Sequence, residues 1–132
     1  MKQEDKKLLI NDLCARLPYG VMIQEKCIEH DEIFLPHPEN NRLVNIDIRE
    51  DLVITNGGSR YYIEEIKPYL FPLSSMTEEQ YDECTNMGYS VTERWWSMAN
   101  YHQIDWLNKN HFDYRGLIEN GLAIDATNLN IY

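Results

Sequence analysis

KPYLFPLSSMTEEQY, residues 67–81, is the joint of this chain: the residues before it pattern as a helix plus strands, and those after it as helices. Pro68 and Pro72 lack an amide donor and fix their own φ. Each also pushes the residue before it, Lys67 or Phe71, into an extended conformation. Neither a continuous helix nor a central strand is expected here. Tyr69, Leu70 and Leu73 are too apolar for a free linker, so the segment is read as a short extended piece lying against the core. Thr77 then has the signature of a helix N-cap. Its hydroxyl can accept from the Gln80 amide while the Gln80 side chain reaches back, Met76 can staple onto Tyr81, and Glu78 and Glu79 suit the positive end of the helix dipole.

Upstream of the joint, Leu9, Leu13 and Leu17 recur at helical spacing beside Ile10 and Cys14, so residues 3–17 form an amphipathic helix that Pro18 and Gly20 terminate. Residues 21–24 and 27–35 are rich in strand formers, and Pro36, Pro38 and Glu39-Asn40-Asn41 mark a loop. Val44, Ile46 and Ile48 alternate with Asn45, Asp47 and Arg49, as a strand with one wet face requires. Residues 52–55 and 60–66 flank Asn56-Gly57-Gly58, a hairpin turn sequence. Downstream, a helix from Glu78 to about Met87 is followed by one from about Thr92 to Asn110, on which Trp95, Trp96, Ala99, Trp106 and Leu107 spread over a broad apolar arc. Asp113 can cap a short helix that Gly121 closes, residues 122–124 can add a brief strand, and the tail from about residue 126 is read as loose.

The fold class that follows is α+β: an N-terminal helix, a bent antiparallel sheet or small barrel of about five strands, and a C-terminal helical part packed on it. A chain of 132 residues suits one domain. Residues 1–66 are its helix-plus-sheet half, 67–80 the Pro-rich joint and 81–132 its helical half. No apolar run approaches the ~20 residues of a membrane span, and the N-terminal MKQEDKKLLI lacks a signal-peptide core, so a cytoplasmic protein without membrane contact is expected. Cys14, Cys27 and Cys84 form no C-x-x-C pair and are read as reduced, buried thiols.

The net charge is -10. Residues 1–20 hold four basic and three acidic side chains, 21–70 five and ten, and 71–132 three and nine. No basic stripe exists for phosphate neutralisation, so nucleic acid is not an expected partner through direct phosphate contact.

DLCARLPYG (12–20), KPYLFPLSSMTEE (67–79), IDWLN (104–108) and HFDYRGLIENGLAID (111–125) together resemble a family of small uncharacterised proteins encoded by phages and prophages of gut Bacteroidales. In that pattern a basic residue often stands where this chain has Phe71, and the tail after Ala126 also departs from it. The resemblance implies a mobile-element origin and carries over no activity, cofactor or site residue.

The candidate chemistry therefore rests on the residues themselves. Cys27-x-x-His30 with His37 has part of a metal-site spacing, but residues three apart on a strand face opposite ways and no fourth ligand is evident, so no metal is expected. His102 and Asp105, three apart on a helix, could form an acid–base group with His111; the competing reading places His102 in the core between Trp95 and Met98. No nucleophile elbow or phosphate loop is present, and no cofactor is expected. Arg60-Tyr61-Tyr62 could offer one ring to a stacking surface, because alternation sends the two tyrosines to opposite faces. Tyr114-Arg115 combines residue types that dominate interface hot spots. The expected binding residues are Tyr69, Phe71, His111, Tyr114 and Arg115, on irregular backbone where scaffolds display function. The reading that results is an accessory protein acting by binding an unidentified host or phage protein. The alternatives are a small enzyme using His102, Asp105 and His111, and an acidic DNA mimic.

Overall fold

The computed structural model describes residues 1–25, 40–88 and 98–132. Helix α1 (Gln3–Arg16) leads into β1 (Ile23–Glu25), β2 (Leu43–Asp47), β3 (Leu52–Thr55), β4 (Arg60–Tyr62) and β5 (Ile66–Pro72); α2 (Glu78–Thr85), α3 (Tyr101–Lys109), β6 (Phe112–Asp113) and β7 (Ile124–Asp125) follow. The fold is α+β, with two sheets instead of one bent sheet or barrel. β2, β3 and β4 form an antiparallel sheet, while β1, β6 and β7 all pair with β5. The two meet where the Leu43 amide donates to the Val21 carbonyl (2.9 Å) and the Ile23 amide to the Asn41 carbonyl (3.0 Å).

The joint is the centre of the larger sheet, which corrects the expectation that no central strand runs here. β1 runs antiparallel to β5, and β6 and β7 run parallel to it. Pro68 stands opposite Ile23, but the bond to β1 is made by its neighbour, the Tyr69 amide donating to the Met22 carbonyl at 2.9 Å. Amide direction alternates along a strand, so the nitrogen of Pro68 faces away from β1 and its missing hydrogen breaks no bond to that strand. Beside Pro72, the Phe71 amide likewise donates to the His111 carbonyl (2.8 Å).

In the smaller sheet the turn at Asn56-Gly57-Gly58 forms as expected, with the Thr55 amide donating to the Ser59 carbonyl (3.0 Å). The returning stretch is not one strand: it breaks after Tyr62, where the Glu65 carboxylate accepts from the Tyr62 amide (3.0 Å) and caps a short 3-10 turn. β2 also departs from simple alternation. Its register slips between Leu43 and Asn45, a β-bulge that leaves Leu43 and Ile46 facing inward and turns Val44 out, 49% exposed. Tyr61 packs inward and Tyr62 points outward, as alternation requires.

α1 ends in a 3-10 turn containing Pro18 and a left-handed Gly20 (φ 64°). Leu9 and Leu13 bury against Val21, Val53, Ile63, Ile66, Leu70 and Leu117. Cys14 is exposed, not buried, because it lies off that stripe. The capping box that opens α2 is present, with Thr77 Oγ1 accepting from the Gln80 amide (3.2 Å) and Gln80 Oε1 from the Thr77 amide (2.9 Å). Of Tyr81, Cys84 and Met87, which helical spacing sets on one side of this segment, only Cys84 is fully buried. α3 does not begin at Thr92: Asn100 is extended at ψ 172° and caps the helix through Gln103. Asn100 Nδ2 donates to the Met87 carbonyl (2.7 Å) and Gln103 Nε2 to the Cys84 carbonyl (3.0 Å), which fastens the start of α3 to the end of α2. Trp95 and Trp96 lie outside the described residues. A second core gathers Cys84, Trp106, Leu107, Phe112 and Tyr114.

After β6 the chain turns without forming the expected helix. Nor is the tail loose. The Ala126 amide donates to the Leu70 carbonyl (2.8 Å), Ile131 packs on the Met22, Tyr69 and Ala126 cluster, and the Tyr132 hydroxyl enters the β1–β5 ladder.

Candidate functional site

One face of the molecule is built on a buried ion pair. Asp12 and Arg16 stand one turn apart on α1 and both are fully buried. Arg16 Nε donates to Asp12 Oδ2 (2.7 Å), and its Nη2 donates to Asp12 Oδ1 (3.2 Å) and to the Phe112 carbonyl (2.6 Å). The pair thus ties α1 to β6. Removing charge from water on both sides is offset only by such close, multiple hydrogen bonds.

Tyr114 lies beside this pair. Its hydroxyl donates to Asn108 Oδ1 (2.8 Å), and the guanidinium groups of Arg16 and Arg115 lie over its ring at 5.3 and 5.2 Å. Arg115 Nε stands 3.4 Å from Asp12 Oδ1, an electrostatic contact too poorly directed to be a hydrogen bond. Arg115 therefore reaches from a buried carboxylate towards the surface, with 27% of its side chain exposed.

Arg115 opens onto a cleft of about 330 Å³ between the end of β5 and the turn after β6, walled by Pro72, Leu73 and Ile118. Asp113 shapes that turn: Oδ1 accepts from the amide of Leu117 (3.0 Å) and Oδ2 from that of Ile118 (2.9 Å). This is the capping function expected of Asp113, performed on a turn. With the Asp113 carboxylate occupied by backbone amides, the charged groups left to the cleft are the Arg115 guanidinium, its donor, and the Glu119 carboxylate on its rim.

Pairing of β5 with β6 brings together the two stretches singled out in the sequence, placing Phe71 opposite Phe112. Their side chains divide, however. Tyr69 and Tyr114 are buried, so neither presents a surface to a partner, because β5 is a central strand and Tyr114 seals the second core. Phe71 is half-buried, with its ring against Phe112 and Tyr132. His111, left-handed at φ 64°, stacks on Tyr132 with ring centroids 3.7 Å apart. Desolvation pushes its pKa down to about 4, assisted by the charges of Arg16 and Arg42. Of the five expected residues, Arg115 is the one with an exposed charged head at the cleft.

His102, Asp105 and His111 do not converge. His102 is exposed against the Tyr101 ring and does not occupy the core. It stands in the first turn of α3, whereas His111 lies beyond the other end of that helix. Burial, with a smaller push from Glu83, raises the Cys84 thiol to about 11, far from a reactive thiolate. Cys27, His30 and His37 lie outside the described residues, and among the described residues no three His, Cys, Asp or Glu side chains group as metal ligands. Among the described residues no helix is long and apolar enough to cross a membrane.

Sequence reasoning missed the Asp12–Arg16 pair, although Leu9, Asp12, Leu13 and Arg16 form an i, i+3, i+4, i+7 stripe that runs straight through it. It also missed Asn100-x-x-Gln103, the same capping box recognised at Thr77. Comparison of the chain with protein-family models, curated proteins and solved structures finds no match.

Proposed function

We propose that this chain is an accessory protein of a phage or prophage that acts in the cytoplasm by binding another protein, using the cleft beside Arg115 as its anchor pocket. The observation that carries the reading is the cleft itself. Its volume, about 330 Å³, falls at the low end of the roughly 300–1,000 Å³ of small binding pockets. Its walls at Pro72, Leu73 and Ile118 are apolar, and its charged head is held in place by Asp12 and by the Tyr114 ring. A guanidinium fixed before binding loses little side-chain entropy when a carboxylate arrives. The matching partner feature is an apolar side chain next to a carboxylate.

The resemblance of the four segments to phage and prophage proteins supports the mobile-element origin. An Arg beside apolar walls is the composition of an interface hot spot, which supports protein binding over catalysis. The test is affinity capture from host lysate with the wild type and with Arg115→Glu. One partner retained by the wild type and lost by the variant, with unchanged folding, is the expected result.

A further inference from the structure

A second surface remains, on the other side of the α1 terminus. The 3-10 turn Leu17–Tyr19, Gly20, the start of β2 and Lys109 at the end of α3 enclose an open groove of about 590 Å³. Arg42 and Lys109 line it from different elements, and neither forms an ion pair or side-chain hydrogen bond among the described residues. In a chain with 22 acidic and 12 basic residues, two cations that no described carboxylate pairs line one groove and give it a local positive character.

The Arg42 side chain is exposed, and its stem runs over Gly20. A Cβ placed on Gly20 would come within 2.8 Å of Arg42 Cδ, so the stem lies directly on the glycine, and φ +64° reserves that turn for a residue without a side chain. The Arg42 backbone is fixed, its amide donating to Asn56 Oδ1 (3.1 Å) and its carbonyl accepting from the Asn56 amide (2.9 Å). Behind the groove, Arg16 is fully buried with Nη1 unpartnered. The opposite character comes from Pro18, Tyr19 and the outward-turned Val44, an apolar flank on the same groove.

We infer that this groove binds an organic phosphate, a phosphate monoester between Arg42 and Lys109 with its carbon skeleton against Tyr19 and Val44. A monoester carries close to two negative charges at pH 7 and so matches two cations, whereas a carboxylate neutralises one. Bidentate hydrogen bonding by a guanidinium suits phosphate oxygens, and the lysine supplies the point charge.

The test is calorimetric titration of the full chain with adenosine 5′-monophosphate and, separately, inorganic phosphate, in buffer of low ionic strength. Variants Arg42→Gln and Lys109→Gln, checked for folding by circular dichroism, remove each charge while keeping the stem. The nucleotide is expected to bind the wild type, more weakly with added salt, and each variant to lose about tenfold in affinity. Absence of nucleotide binding at millimolar concentration, equal affinity in the double variant, or inorganic phosphate binding as tightly as the nucleotide would each overturn the inference. Arg115→Glu is expected to bind the nucleotide like the wild type, which separates this site from the cleft.

Discussion

Tyr132 and His111 lie face to face, their planes 11° from parallel. The stack carries the Tyr132 hydroxyl into the β1–β5 ladder, where it accepts from the Met22 amide and donates to the Tyr69 carbonyl, each at 2.8 Å. The residue as a whole is 45% exposed while its hydroxyl sits between strands. Burial raises the phenol pKa well above its ordinary value, so the group stays protonated and able to donate. Tyr132→Phe leaves two backbone groups without that bridge and should cost about 1–3 kcal/mol. Denaturant unfolding measures the loss, and hydrogen exchange at the Met22 amide should accelerate; an unchanged exchange rate would show that the bridge is dispensable.

His111 gives the fold a pH dependence of known sign. Its folded pKa, about 4, lies below the ordinary 6.5, so between these values the unfolded chain binds more protons and stability rises with pH. The contribution is complete above about pH 6.5 and is lost as pH falls towards about 4. His111→Gln should flatten that part of the stability profile. NMR titration of the imidazole at an ordinary pKa would contradict this.

Some of this architecture is written locally and some is not. Thr77 with Gln80, the strand at 52–55 and the turn at Asn56-Gly57-Gly58 are legible because the bonds that make them join neighbours in sequence. The role of β5 was hidden because a proline's effect depends on which side of the strand its nitrogen faces, and only the partner strands decide that. Val44 reads as core until a one-residue bulge shifts its phase. Of the cleft, Arg115 and Asp113 were visible as residue types, whereas the carboxylate that positions Arg115 comes from Asp12, far away in sequence.

The Asp12–Arg16 pair should be among the most sensitive positions of the fold. Asp12→Ala strands a buried guanidinium and should cost about 3–5 kcal/mol. Chemical denaturation measures it, and a loss below about 1 kcal/mol would mean that water or another acceptor replaces the carboxylate without difficulty.

Trp106 is the aromatic centre of the second core, stacked on Phe112 with centroids 5.6 Å apart and planes at 10°. Trp106→Ala should cost about 3–5 kcal/mol in thermal or denaturant unfolding, because it opens a cavity where α3, α2 and β6 meet. A small loss would show α3 to be peripheral.

Paired capture tests whether the cleft at Arg115 is a protein-binding pocket. Wild-type protein and Arg115→Glu, matched in melting temperature, are exposed to the same host lysate; retained proteins are identified, and the best is purified and titrated against both. One partner is expected to bind the wild type and to lose at least about 2 kcal/mol of affinity with the variant, the scale of a hot-spot residue. A purified partner that binds both forms equally, or no specific partner for the wild type, would contradict it.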